Sequence, residues 1–354
     1  MLFIYRDVFY TFMIAFFAVL VLTPLMRRIA LKAAILDMPG GRKIHTKPIP
    51  SLGGVAIYLA SMVAVYTVFR LNPLFRVEFT EHLTGFFMGG AIIIAIGLFD
   101  DIKGIGAPVK FIGQILAALV LFKYGFRVEF ITNPFSGIVQ LNLPISLLFT
   151  LFWIVGLTNA INLIDGLDGL AAGLSVIAGV ALLAMGLFRP DVITAFLAVA
   201  IIGSTLGFLR YNFHPAKIFM GDTGSMFLGF MLGAIGMVGI GKGLTAATLM
   251  IPIVVLGIPI YDTLIAIIRR MTKKTPIFLG DRRHFHHRLL DLGLPHRQAV
   301  LWFYFVSIYL GIIGFLFTLI PTRYAFLLLI MLFMAAFTGV RMLTFIEKRL
   351  HLKK

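Results

Sequence analysis

The sequence predicts an all-α polytopic membrane protein with about 11 transmembrane helices, on three observations. Of its 354 residues, 60% are hydrophobic and 13% charged, where a soluble domain is about half apolar and a quarter charged. The apolar residues collect into runs of about 17 or more, long enough for a helix to cross ~30 Å of hydrocarbon. The basic residues fall unevenly on alternate connections between those runs.

Along the chain the runs lie near 8–26, 53–69, 83–99, 109–124, 144–160, 170–188, 192–209, 223–240, 245–268, 299–320 and 324–345. Spans of about 20 residues leave little chain for anything but loops, so residues 1–354 are expected to form a single integral-membrane domain. The first run lacks a small-x-small cleavage site and is followed at once by Arg27 and Arg28, so it reads as a retained anchor. One connection is unlike the others. FRVEFITNPFSGIVQLNLP, 126–144, alternates β-forming residues around an Asn133-Pro134 to Gly137 turn signal, which predicts a short extracellular β-hairpin near 126–142.

Starting from an outside N-terminus, 23 Lys and Arg fall on one side of the membrane and 8 on the other. Basic residues are retained in the cytoplasm, so the richer side faces in and the C-terminus is cytoplasmic. The expected location is the plasma (inner) membrane, crossed many times. A net charge of +16 is then mostly topogenic, and implies membrane lipids rather than nucleic acid as the basic loops' neighbours. There are no cysteines, which removes disulfides, thiolate catalysis and Cys-ligated metals.

Among the 15 acidic residues, Asp100, Asp101, Asp165, Asp168, Asp222, Asp281 and Asp291 lie in or beside the inward loops, at the ends of five runs. Solvated loop carboxylates are the plain alternative for any one of them. Their clustering in apolar, Gly-rich text points to a convergent site on the cytoplasmic face. Asp100 and Asp101 end the third run in LFDDIKGIG, and adjacent carboxylates need a cation or proton beside them. A hard divalent ion such as Mg²⁺ is one solution, and capping of the next segment is the other.

NAINLIDGLDGLAAG follows the fifth run. Asn159 and Asn162 continue helically to Asp165, so one face of a helix end presents two amides and a carboxylate, and Gly166 and Gly169 let the backbone turn around Asp168. An EF-hand is disfavoured by the spacing and the missing closing Glu. In HPAKIFMGDTGS, Lys217 and Asp222 stand at the entry of the eighth run, where an N-cap is the simpler role for the aspartate. The long inner loop holds GDRRHFHHRLLDLGLPHRQ, with His284, His286 and His287 among Arg282, Arg283 and Arg288. The arginines would repel a zinc ion, and the group suits phosphate oxygens, with topology and lipid headgroups as the alternative. Loop 37–54 adds Arg42, Lys43, His45 and Lys47 before Gly53-Gly54. Asp262 is an intramembrane carboxylate, a functional candidate or the partner of a nearby base.

Together these motifs resemble the polyprenyl-phosphate N-acetylhexosamine-1-phosphate transferases: DD after the third span, NAxNxxDGxDGL after the fifth, HPAKxFxGDxGS before the eighth and DRxHxHHRLLDLG in the long loop. They run in order over nearly the whole chain. The RKIHTKPIPSLGG and DRRHFHHRLLDLG versions look like the enzymes that load N-acetylglucosamine 1-phosphate from UDP-N-acetylglucosamine onto undecaprenyl phosphate, starting teichoic-acid, O-antigen or related glycan synthesis. The muramoyl-pentapeptide branch, the alternative, carries consecutive histidines in that loop, and a transporter of anionic lipid-linked sugars is the rival from another class. The latter usually shows inverted repeats and a midplane site, and neither is visible here.

The resemblance implies a single transferase domain and a Mg²⁺ ion, replaceable by Mn²⁺, held by Asp222 and Asn162. It implies catalytic roles for Asp100 and Asp101, in lipid-phosphate activation or metal support. Substrate contacts are implied for Asn159, Asp165, Asp168, Lys47 and Lys110, and for the loop residues Arg282, Arg283, His284, His286, His287 and Arg288. Direct displacement is preferred over a covalent aspartyl-phosphate, and association as a homodimer stays open.

Overall fold

The computed structural model describes residues 2–40, 45–73, 75, 79–133, 137–189, 191–238, 253–272, 285–317, 319–320 and 322–351. In chain order its helices are α1 (Leu2–Lys32), α2 (Gly53–Leu71), α3 (Thr80–Lys103), α4 (Ala107–Lys123), α5 (Leu143–Ile164), α6 (Leu170–Phe188), α7 (Val192–Asn212), α8 (Gly221–Val238), α9 (Gly257–Thr272), α10 (Phe285–Asp291), α11 (His296–Leu316) and α12 (Thr322–His351). Two antiparallel strand pairs join them: β1 (Leu36–Asp37) with β2 (Ile49–Pro50), and β3 (Phe130–Asn133) with β4 (Gly137–Gln140). In the second pair Asn133 lies opposite Gly137.

Eight helices among the described residues, α1, α2, α3, α5, α6, α7, α8 and α11, are long and apolar enough to cross a membrane. The chain is therefore an all-α, multi-span integral membrane protein. The run at 109–124 forms α4, a helix of 17 residues. In α12 the apolar stretch is Tyr324–Gly339, and the run at 245–268 lies partly outside the described residues.

Local signals set several helix ends. Asn142 Oδ1 accepts from the Ile145 amide at 3.1 Å ahead of Pro144 in the first turn of α5, and Asp191 caps α7 by accepting from the Thr194 amide at 3.4 Å, with Thr194 Oγ1 donating to it at 2.7 Å. Gly104, at φ 66°, closes α3. The centre of the bundle is α8, flanked by α2, α3, α5, α6 and α7. Its apolar window is 89% buried, against 22% for α1, so α8 is hidden from lipid on nearly every side.

Burial without a hydrophobic drive between helices in lipid demands close backbone approach. Gly54 of α2 lies against the Gly224 backbone and Gly97 of α3 against that of Thr223, where a Cβ would overlap main-chain atoms. Gly97→Val is accordingly expected to lower stability by about 1–3 kcal/mol, seen as a reduced melting temperature of the detergent-solubilised protein. An unchanged melting temperature would show that α3 and α8 can separate freely.

Candidate active site

The DD, NAxNxxDGxDGL and HPAKxFxGDxGS motifs meet at one end of the bundle, together with residues 45–51 of the N-proximal loop. There the segment before α2 is zipped to the segment before α8: the Phe219 amide donates to Pro50 O at 2.8 Å, and the Gly53 and Gly54 amides donate to Phe219 O and Met220 O at 2.9 Å. Ser51 and Phe219 form a parallel bridge. Beside this zipper opens a cavity of about 1080 Å³, large enough for a nucleotide sugar. Asp100, Asp101, Asp165, Asp168, Asp222 and Lys47 all line it.

The first turn of α8 organises the acidic wall. A helix start leaves amide donors unpaired and carries partial positive charge. Asp101, from the end of α3, fills that role: Oδ1 accepts from the Asp222 amide at 2.9 Å, and Oδ2 from the Thr223 amide at 3.2 Å and Thr223 Oγ1 at 2.6 Å. The cap thus comes from another helix, and it sets where Asp222 stands. Gly221, at φ 67°, makes this contact feasible, since a Cβ there would overlap the Asp101 carboxylate.

Asp100 points elsewhere. Its Oδ1 accepts from the Ile105 amide at 2.8 Å, closing the turn after α3, and its Oδ2 meets Lys110 Nζ at 2.6 Å. Lys110 also reaches Asp222 Oδ2 at 2.5 Å, so one ammonium bridges two carboxylates. Asn162 stands beside Asp222 and donates Nδ2 to Ser225 Oγ at 2.9 Å. Asn159 sits deeper, in an amide pair with Gln114, whose Oε1 accepts Asn159 Nδ2 at 2.6 Å, and Asn159 also donates to Val155 O at 2.8 Å. The Asn-Asn-Asp face therefore divides: Asn162 bonds Ser225 of the first turns of α8, Asn159 serves the packing of α5 on α4, and Asp165 lines the cavity.

Just past α5, Asp165 is held well above the usual carboxylate range, by burial and then by the neighbouring carboxylates of Asp222, Asp101, Asp168 and Asp37. The pocket is thus short of positive charge. The carboxylate oxygens of Asp100, Asp101 and Asp222 lie within 4.8 Å of one another and can hold a metal ion. Carboxylate and amide oxygens are hard donors, which fits Mg²⁺ or Mn²⁺. The Lys110 ammonium between two of the carboxylates shows the same demand for a cation.

Asp168 occupies the glycine turn. Gly169, at φ 79°, donates its amide to Asn212 Oδ1 at 3.1 Å, and Tyr304 of α11 donates to Gly169 O at 2.5 Å. Asp168 Oδ2 accepts from the Ala216 amide at 3.0 Å and faces His214 Nδ1 at 2.8 Å. The Asp168 amide donates to His296 Nε2 at 3.0 Å, and the two imidazoles stack with centroids 4.2 Å apart. Sequence reasoning overlooked His296: it stands alone in LPHRQ, 128 residues from Asp168, with no spacing signal to find it. His214 was visible only as part of the HPAK motif.

On the opposite rim, His45 lies edge-on to Phe219 at 5.3 Å, and Arg27 Nε donates to Lys217 O at 3.1 Å. Asp262 accepts from the Phe285 amide at 3.2 Å, tying α9 to the start of α10. Arg282, Arg283 and His284 lie outside the described residues, as do Arg42, Lys43 and Asp281. His286, His287 and Arg288 fall on α10.

The profile of Glycosyl transferase family 4 matches residues 83–240, which hold the Asp-Asp pair, the asparagine face and Asp222. The chain is 43% identical to a probable undecaprenyl-phosphate N-acetylglucosaminyl 1-phosphate transferase of Bacillus subtilis, over 87% of this chain and 82% of that protein. It is 38% identical to a decaprenyl-phosphate N-acetylglucosaminephosphotransferase of Mycobacterium leprae, covering 83% and 78%. Similarity to a phospho-N-acetylmuramoyl-pentapeptide-transferase of Staphylococcus epidermidis is lower, 31% over 89% and 98%. Motif order, convergence of the motifs on one cavity and similarity over most of both chains agree, and this membrane enzyme belongs to the polyprenyl-phosphate N-acetylhexosamine-1-phosphate transferases, which transfer a sugar 1-phosphate.

Proposed function

We propose that the protein transfers N-acetylglucosamine 1-phosphate from UDP-N-acetylglucosamine to undecaprenyl phosphate, releasing UMP and starting a lipid-linked cell-envelope glycan. The observation that carries this reading is the convergence of Asp100, Asp101, Asp165, Asp168 and Asp222, from separate segments, on one cavity at one end of a membrane bundle. A soluble nucleotide sugar and a lipid held in the bilayer can both reach such a place. The preference for N-acetylglucosamine rests on the 43% and 38% relatives and on His-Phe-His-His in the long loop. The site faces the cytoplasm, with the N-terminus outside, by the distribution of Lys and Arg.

In the reaction an oxygen of the lipid phosphate attacks the β-phosphorus. A new P–O bond forms there, the bond to the bridging oxygen breaks, and its electron pair leaves with UMP. Asp222 and Asn162 would hold Mg²⁺ or Mn²⁺, which supplies charge neutralisation to the diphosphate when bound. Asp101 positions Asp222 by capping α8. Lys110 fixes Asp100 beside Asp222 and offers its ammonium to a phosphate oxygen. A phosphate monoester ionises near pH 6, so the lipid nucleophile needs no dedicated base and direct displacement suffices. By the family resemblance Asp165 and Asp168 lie on the nucleotide side, and both line the cavity, as does Lys47.

The test is incubation of purified protein with undecaprenyl phosphate, Mg²⁺ and a panel of UDP-sugars. UMP release is expected with UDP-N-acetylglucosamine and is lost on chelation. Release only with the muramoyl-pentapeptide nucleotide would give the alternative substrate. Replacing Arg282, Arg283 or Arg288 by Ala is expected to cost about ten- to hundredfold in kcat/KM for the UDP-sugar, the worth of one charge-assisted contact in the transition state. Unchanged UDP-sugar kinetics in all three would leave the loop a purely topogenic role.

A further inference from the structure

One cluster in the cavity contains two histidines, His214 and His296, to which the reaction just described gives no part. Asp168, His214 and His296 come from the turn after α5, the segment before α8 and the first residue of α11. Their contacts determine where the protons are. A carboxylate oxygen 2.8 Å from His214 Nδ1 requires that nitrogen to carry the proton. A backbone amide donating to His296 Nε2 requires that nitrogen to be bare, so His296 is neutral and its proton is on Nδ1, which is buried without a hydrogen-bond partner. The His296 ring has no polar atom open to the cavity, and it backs the His214 ring, 4.2 Å away and inclined by only 16°.

His214 is different. Its side chain is 40% exposed, it lines the cavity, and Nε2 has no partner among the described residues. An imidazole oriented at Nδ1 by a carboxylate and braced on its face is pre-organised at its other nitrogen, which in the neutral ring is an acceptor. Asp168 is anchored in turn by the Ala216 amide, so the ring cannot swing away without breaking a second contact.

We propose that His214 is a substrate-binding residue whose Nε2 accepts a hydrogen bond from the nucleoside part of the sugar nucleotide, with Asp168 and His296 as its positioning residues. This rests on the transferase reading, which places Asp168 on the nucleotide side. A uridine has three groups of the required chemistry, the base N3–H and the two ribose hydroxyls.

The test is steady-state kinetics of the full-length protein in lipid-detergent micelles, with UMP affinity measured separately by calorimetry. His214→Phe keeps the ring and the stack but removes both nitrogens. It is expected to raise KM for UDP-N-acetylglucosamine about tenfold, the worth of one hydrogen bond, leaving KM for undecaprenyl phosphate unchanged. His214→Gln, which restores an acceptor, should recover part of the loss and stands in should the Phe variant fold poorly. His296→Phe keeps the stack and frees the Asp168 amide, so a smaller rise in the same KM is expected, with kcat preserved.

Analogues carrying N3-methyluridine, 2′-deoxyuridine or 3′-deoxyuridine identify the donor. The parent should discriminate against one of them, and His214→Phe should lose that discrimination. Parental KM and parental discrimination in the folded Phe and Gln variants would overturn the role of His214 and leave the transferase reading intact. A parent that neither releases UMP nor binds it would overturn both.

Discussion

Asp222→Ala is expected to reduce UMP release by about a hundred- to thousandfold or more, on the scale of losing a pre-organised electrostatic group from a phosphoryl-transfer site. Asp222 is the meeting point of the acidic wall: Lys110 lies 2.5 Å from it, Asn162 stands beside it, and its own amide is held by Asp101. Removing its carboxylate takes the oxygen donor that the α8 cap positions. Asn162→Ala should fall in the same range, because its amide is braced by Ser225 beside Asp222. Asn159→Ala is the useful contrast. That side chain is spent on Gln114 and Val155, so its loss should appear as lowered stability of about 1–3 kcal/mol with kcat largely kept. The measurement is UMP release over a Mg²⁺ titration, with melting temperatures alongside. Near-normal rates at saturating metal in both the Asp222 and Asn162 variants would remove these residues from the metal site.

Gly221→Ala is the second large effect, and it involves no functional group at all. The backbone there is at φ 67°, costly for a residue with a Cβ, and the added methyl would occupy the place of the Asp101 carboxylate. Asp101 would be driven off the Asp222 and Thr223 amides, so the first turn of α8 would lose its cap and Asp222 its register. A loss of at least about a hundredfold in kcat is expected, since a misplacement of about 1 Å is worth that much. Stability should drop by about 1–3 kcal/mol. Asp101→Asn tests the same idea from the other side. An amide oxygen can still accept from the Asp222 amide, so an Asn variant should retain more activity than Asp101→Ala at every pH. A general base would behave otherwise, with Asn and Ala equally inactive.

The sequence by itself determined the solvent and the chemistry. Long apolar runs dictate helices in a bilayer, because only a helix satisfies its own backbone there. Aspartates packed into Gly-rich text at the run ends, in the order DD, NAxNxxDG, GDxGS, pointed to a convergent site on one face, and the resemblance of those motifs pointed to sugar 1-phosphate transfer. What the sequence could not decide was which oxygen of which aspartate does what. Asp100 and Asp101 are neighbours in the chain, yet one side chain caps a helix that begins more than a hundred residues later and the other holds Lys110. Asn159 and Asn162 share a helix face, yet Asn159 bonds Gln114 and Asn162 bonds Ser225 beside Asp222.

The joining of Asp168, His214 and His296 likewise depends on α11 packing against α6, which presents the first residue of α11 to the turn after α5. These assignments belong to the tertiary structure for one physical reason. Periodicity and spacing report on residues within a turn or two of each other, while a hydrogen bond forms over about 3 Å between whichever groups the packed helices bring together.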